Sequence, residues 1–134
     1  MQYLNAFIAG FISTLIFHQG TVALLYAYKL WPKPPFPMAA TAPFKLPAVI
    51  SLAFWGGLWG IVLWLAIRGV PDLRYWTLAV LLGAFAPTAV ALFVVAPLKG
   101  QPVAAGWDPK IITAALAMNG VWGLGVALHL RLMA

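Results

Sequence analysis

Acidic residues are almost absent from this chain. Asp72 and Asp108 are the only two in 134 residues, and cysteine is missing altogether. Without cysteine there is no disulfide, no thiolate metal site and no cysteine nucleophile. Both aspartates fall between apolar runs, so no carboxylate is embedded where proton-coupled transport would need one. A Ser-His-Asp arrangement fails for the same reason. The two histidines, His18 and His129, differ in axial position by more than about 10 Å on the helical rise, so they cannot share one haem iron. A single imidazole among amides is a poor metal site. We therefore expect no catalytic residue, no metal, no cofactor and no enzymatic activity.

Charge of either sign is scarce. Lys, Arg, Asp and Glu make up 7% of the residues, against roughly a quarter in soluble domains, so a water-facing surface cannot be assembled from this inventory. What remains is 64% hydrophobic, with a mean hydropathy of +0.97. Lipid is the solvent that such a composition suits. The formal charge of +6 comes from basic residues standing singly, with no stripe of the kind that nucleic acid requires. Lys29, Lys45, Arg68, Arg74, Lys99, Lys110 and Arg131 bracket the apolar runs, where they suit anionic lipid headgroups. Anionic headgroups are thus the expected partners, and no nucleic acid is expected.

Four stretches reach the roughly 20 apolar residues that a spanning helix needs: approximately 5–28, 47–67, 76–97 and 110–131. The first has no basic region ahead of it and exceeds the apolar core of a signal peptide, so it reads as a retained helix. Trp31, Trp76 and Trp107 fall near span ends, where indoles favour headgroups. The connection 31–47, "WPKPPFPMAATAPFKLP", is too rich in proline to continue a helix. With few backbone donors it can either lie against the membrane or run as an exposed linker. Lys29, Lys33, Lys45, Lys99 and Lys110 fall on one side, Arg68, Arg74 and Arg131 on the other, which favours the first side as cytoplasmic and the termini as outside.

The second and fourth spans resemble each other. In "GLWGIVLWLAIR" and "GVWGLGVALHLR", Gly57, Trp59, Gly60, Leu65 and Arg68 match Gly120, Trp122, Gly123, Leu128 and Arg131 at a constant offset of 63. Spans one and three give no usable match. Residues 1–134 are thus expected to form a single all-α transmembrane domain, an integral four-helix bundle made of two tandem-related helical hairpins in a parallel internal repeat. Gly56 and Gly60 form a small-xxx-small pair, and Gly120, Gly123 and Gly125 a similar strip. Small residues let backbones approach closely in lipid, with Trp55, Trp59 and Trp122 beside them to cover the neighbouring helix.

One polar layer interrupts the apolar runs. Measured from the lysine-rich ends of the spans, His18 lies 10 residues in, and Thr88 and Asn119 lie 9 in. That is a depth of about 14 Å, near the middle of a hydrocarbon core about 30 Å thick. Gly56 shares the level, and Pro87 frees the carbonyl of Gly83 beside it. Gln19 points about 100° away from His18 and is expected to face another partner, such as a second subunit. Two functions fit this pattern. The first is a non-enzymatic accessory or structural component, expected in a bacterial inner membrane, that binds a larger membrane complex, a second copy or lipids through its Gly/Trp faces. The alternative is a small oligomeric channel or uniporter lined by His18, Thr88 and Asn119.

Overall fold

The computed structural model describes residues 1–41 and 44–133; Ala42 and Pro43 of the proline-rich connection, and Ala134, lie outside the described residues. Among the described residues, four helices are long and apolar enough to cross a membrane: α1 (Gln2–Ala27), α2 (Ala48–Ile67), α3 (Asp72–Leu98) and α4 (Pro109–Met133). They pack as an all-α bundle. A helix is the solution imposed by the composition, because in hydrocarbon every backbone donor and acceptor must be satisfied within the segment. The only strand pairing among the described residues is a two-residue antiparallel ladder, β1 (Ala40–Thr41) with β2 (Leu46–Pro47), ahead of α2.

The helix ends follow from turn chemistry. Lys29 takes a left-handed conformation (φ 59°) just past α1, and Pro32 prevents its continuation. Gly69, at φ 76°, turns the chain between α2 and α3, a conformation that costs glycine little. Asp108 accepts the Lys110 N–H at 3.0 Å, and Pro109 occupies the first position of α4, where its missing donor is not needed. Helix α3 begins at Asp72, four residues before the expected start at 76, so that Asp72 and Arg74 occupy its first turn.

Packing rests on two close crossings. In the first hairpin, a methyl group on Gly10 would meet the Gly56 carbonyl and, at 2.9 Å, the Gly60 Cα; one on Gly60 would lie 2.5 Å from the Ala6 carbonyl. In the second, a methyl on Gly83 would lie 2.8 Å from the Gly123 Cα, and one on Gly123 would meet the Ala79 carbonyl. Each is backbone against backbone, the contact that small residues permit when no hydrophobic drive holds helices together. Helix α1 also packs along α4, whereas α2 touches α3 only lightly and α4 less still. Ala9, Leu63, Ile67, Tyr75, Ala79, Trp122, Val126 and Ala127 form the central core.

Not all the expected packing positions act alike. Gly57 yields its space to the Phe7 ring, and Gly125 to Phe17. A methyl at Gly120 would be in ordinary contact with Ala84 at 3.4 Å, so this glycine is not required for close approach. Trp122 is buried and Trp59 half-buried, each against a neighbouring helix, but Trp55 does not cover one: it is 58% exposed and stacks edge-on with Phe54 on the outside of α2. Its helical position, two residues before Gly57, turns it away from α1.

Replacing Gly10 by Leu is expected to push α1 off α2 and cost about 1–3 kcal/mol, as overpacking does. Gly20→Ala meets nothing within 4 Å and is expected to be neutral or slightly stabilising, by up to about 1 kcal/mol. Unfolding of the detergent-solubilised variants compares them directly; equal stabilities would refute the crossing.

Candidate functional site

The polar layer is assembled from all four helices. Helix α1 departs from α-geometry over Thr14–His18, where the turn widens to a π-helix. Thr14 Oγ1 donates to the Gly10 carbonyl at 2.8 Å and Thr21 Oγ1 to the Phe17 carbonyl at 2.7 Å. Such bonds compete with the helical ladder and favour local distortion, and single wide turns of this kind recur at functional sites. Helix α3 carries Pro87 and a second wide turn at Ala91–Val95.

His18, Thr14, Gly56, Pro87, Asn119 and Trp122 line one cavity of about 180 Å³, with Leu52, Trp59 and Ala91 completing its wall. Thr88 stands behind it, buried. Asn119 Nδ2 donates to Thr88 Oγ1 at 2.8 Å, and the Thr88 hydroxyl is directed at the Ala115 carbonyl at 3.5 Å. Trp122 Nε1 donates to the Gly10 carbonyl at 3.2 Å. His18, Thr88 and Asn119 therefore do meet at one level, Thr88 through its bond to Asn119. Ser13 is different: its hydroxyl is buried and has no partner among the described residues.

Gln19 departs from expectation. It is only 2% exposed, so it does not face a second subunit. Its Oε1 accepts the Phe36 N–H at 2.6 Å, and its Nε2 lies 3.0 Å from His18 Nδ1. The proline-rich connection is thus tied to the bundle at Phe36, although most of its described side chains remain exposed. From Pro32 to Pro37 only Lys33 and Phe36 retain a backbone N–H, and the one at Phe36 is satisfied by a side chain. Phe36 sits between Pro35 and Pro37 at φ 53°, a left-handed conformation costing roughly 1–2 kcal/mol for a residue with a Cβ. The Gln19 bond offsets that strain. Trp31 packs against Val22, Ala114 and Met118 nearby. No sequence periodicity announces this return; the signal was a lone buried-type amide opposite a segment short of donors.

The seven expected headgroup residues, Lys29, Lys45, Arg68, Arg74, Lys99, Lys110 and Arg131, are all exposed at helix ends or connections. The Arg68 guanidinium lies 5.0 Å from the Trp64 ring centroid, and that of Arg131 lies 4.1 Å from Tyr75 and 6.0 Å from Trp76, so both arginines are held over aromatic faces. Lys29 and Lys110 border a second cavity, of about 490 Å³, between the end of α1 and the start of α4; Leu25, Leu30 and Ala117 supply its apolar floor. Among the described residues no cluster of His, Cys, Asp and Glu is suited to a metal ion. Among the described residues, His129 bonds only within its own helix, to the Gly125 carbonyl at 3.2 Å.

Comparison with known proteins gives no match: no family model, no curated protein and no solved structure corresponds to this chain.

Gln19→Leu is expected to cost about 1–3 kcal/mol by leaving the Phe36 N–H without a partner. Amide hydrogen exchange at Phe36 and Met38 should accelerate while exchange within α4 stays unchanged. Unaltered exchange at Phe36 would show that Gln19 does not hold the connection.

Proposed function

We propose that this chain is a non-enzymatic accessory or structural component of a membrane assembly, working through its outer faces. One observation carries the proposal. On the outside of the first hairpin runs an aromatic ladder, Phe11 to Phe7 to Phe54 to Trp55, with ring centroids 6.1, 5.8 and 5.7 Å apart. It ends on the exposed indole of Trp55, seven residues and about 10 Å below the start of α2. Hydrocarbon offers no acceptor to an indole N–H, and tryptophan belongs at the headgroup level. Among the described residues Trp55 has no acceptor either, whereas Trp122 does. A protein partner bearing a carbonyl or hydroxyl at that depth supplies one.

Anionic lipid is the second proposed partner. The cavity between Lys29 and Lys110 joins an apolar floor to two cations, which suits an acyl chain below a phosphate. The proposal extends to a bacterial inner membrane, whose anionic leaflets match the basic span ends. We also propose that the two hairpins are copies. The pairing of Ala6 and Gly10 with Gly60 has its counterpart in Ala79 and Gly83 with Gly123, and the offset of 63 between Gly60 and Gly123 is that of the matched segments. The alternative, an oligomeric channel centred on His18, Thr88 and Asn119, draws on the midplane cavity. It is the weaker reading, because Thr88 and one edge of Asn119 bond to each other and the cavity is small.

Gentle extraction from the native membrane, followed by size separation, tests the proposal. The protein is expected to migrate within a larger assembly, and Trp55→Ala to release it with its helical content intact. Migration as a symmetric homo-oligomer that conducts solutes in vesicles would overturn the accessory reading in favour of the channel.

A further inference from the structure

The cleft between the two hairpins has a polar end and an apolar end. Where α2 and α3 diverge, the cavity of about 180 Å³ that holds His18 and Asn119 adjoins one of about 100 Å³ lined by Val62, Leu63, Ala66, Leu82 and Ala86. Trp59, Pro87 and Trp122 belong to both walls, so the two form one trough. Leu52 and Ala91, at its edge, are exposed, so the trough opens sideways toward lipid. Among the described residues no charged side chain lines it.

The hydrogen-bond chemistry of the polar end is fixed from outside the trough. A backbone N–H can only donate, so the Gln19 atom facing Phe36 is the oxygen and the atom facing His18 is the amide nitrogen. That nitrogen can only donate. His18 Nδ1 is therefore the acceptor, and the ring carries its proton on Nε2, at the edge away from Gln19. On the opposite wall, a carbonyl can only accept, so the Thr88 hydrogen belongs to Ala115 and the Thr88 oxygen accepts from Asn119 Nδ2. This leaves Asn119 Oδ1 without a partner among the described residues. One wall thus presents a donor and another an acceptor, each oriented by a backbone group behind it.

We propose that this trough binds a neutral lipophile with a hydroxyl head, which accepts from His18 Nε2 and donates to Asn119 Oδ1 while its apolar body lies between α2 and α3. A hydroxyl both accepts and donates, so it is the smallest head group whose chemistry matches both positions. A charged head is excluded, because the trough offers no opposite charge and burying an unpaired ion is prohibitive. The hydroxyl belongs either to a phenolic ring, which would stack on Trp59 and Trp122, or to an aliphatic alcohol.

The test uses the full chain in nanodiscs of dimyristoylphosphatidylcholine, a lipid without hydroxyl groups. Para-dodecylphenol, dodecanol and the methyl ether of each are titrated while tryptophan fluorescence is followed. Each hydroxyl compound is expected to bind at least tenfold tighter than its own ether, since methylation removes the donor that Asn119 requires. His18→Phe and Asn119→Leu are each expected to lose most of that preference while retaining the elution volume and helicity of the wild type. Tighter binding of the phenol would assign the site to aromatic heads, and tighter binding of dodecanol to aliphatic ones. Equal binding of alcohol and ether, or no binding of any of the four, would overturn the proposal, and this comparison in the wild type needs no variant to fold.

Discussion

The bundle depends on what Gly10 leaves out and what it offers. Lacking a side chain, it lets the backbone of α2 approach at Gly56 and Gly60. Its carbonyl accepts from Thr14 in the next turn and from the Trp122 indole of α4. One residue thus ties together three of the four helices. In water the same contacts would add little to a hydrophobic drive that already gathers apolar surfaces. In lipid that drive is absent, and close backbone contact and interhelical hydrogen bonds must hold the helices in place. The second hairpin repeats the solution at Gly83 and Gly123, with Tyr75 donating to the Ala127 carbonyl at 2.6 Å.

From these crossings the rest of the interior follows. With α1 against both α2 and α4, and α3 against α4, the contact between α2 and α3 is left loose. His18, Pro87 and Asn119 line the cavity that opens between these helices. Most of the polar side chains bond within the chain: Gln19 to the returning connection, Asn119 to Thr88, Trp122 to Gly10. The exterior is the opposite case. It is apolar and aromatic, with the cations confined to helix ends and connections, and Trp55 carries there a donor that lipid cannot match.

Much of this architecture was legible in the sequence, for physical reasons that also explain the failures. Charges are too costly in hydrocarbon to lie within a span, so their spacing marked four helices, though it placed the start of α3 too late because Asp72 and Arg74 fit within a first turn at the surface. The level of His18, Thr88 and Asn119 came from helical rise alone. The crossing partners on α1 and α3 escaped notice: "AFIAG" and "AVLLG" share only an alanine and a glycine four apart, a spacing too common in apolar helices to stand out. Gln19 was assigned the wrong neighbour because its partner, the Phe36 amide, lies 17 residues away in a segment with no period. Trp55 was assigned an inward role because its neighbours are glycines, but helical phase, not adjacency, decides which face a side chain occupies.

The outer face of α2 as the working surface is tested most directly by placing a photoreactive amino acid at position 55 and, for comparison, at the exposed Leu81 of α3, in cells that make the protein. Irradiation should join position 55 to a protein partner, giving a discrete product of higher mass, while position 81 labels lipid alone. Lipid labelling at both positions, with no protein product, would contradict a partner-facing Trp55 and leave its indole facing hydrocarbon.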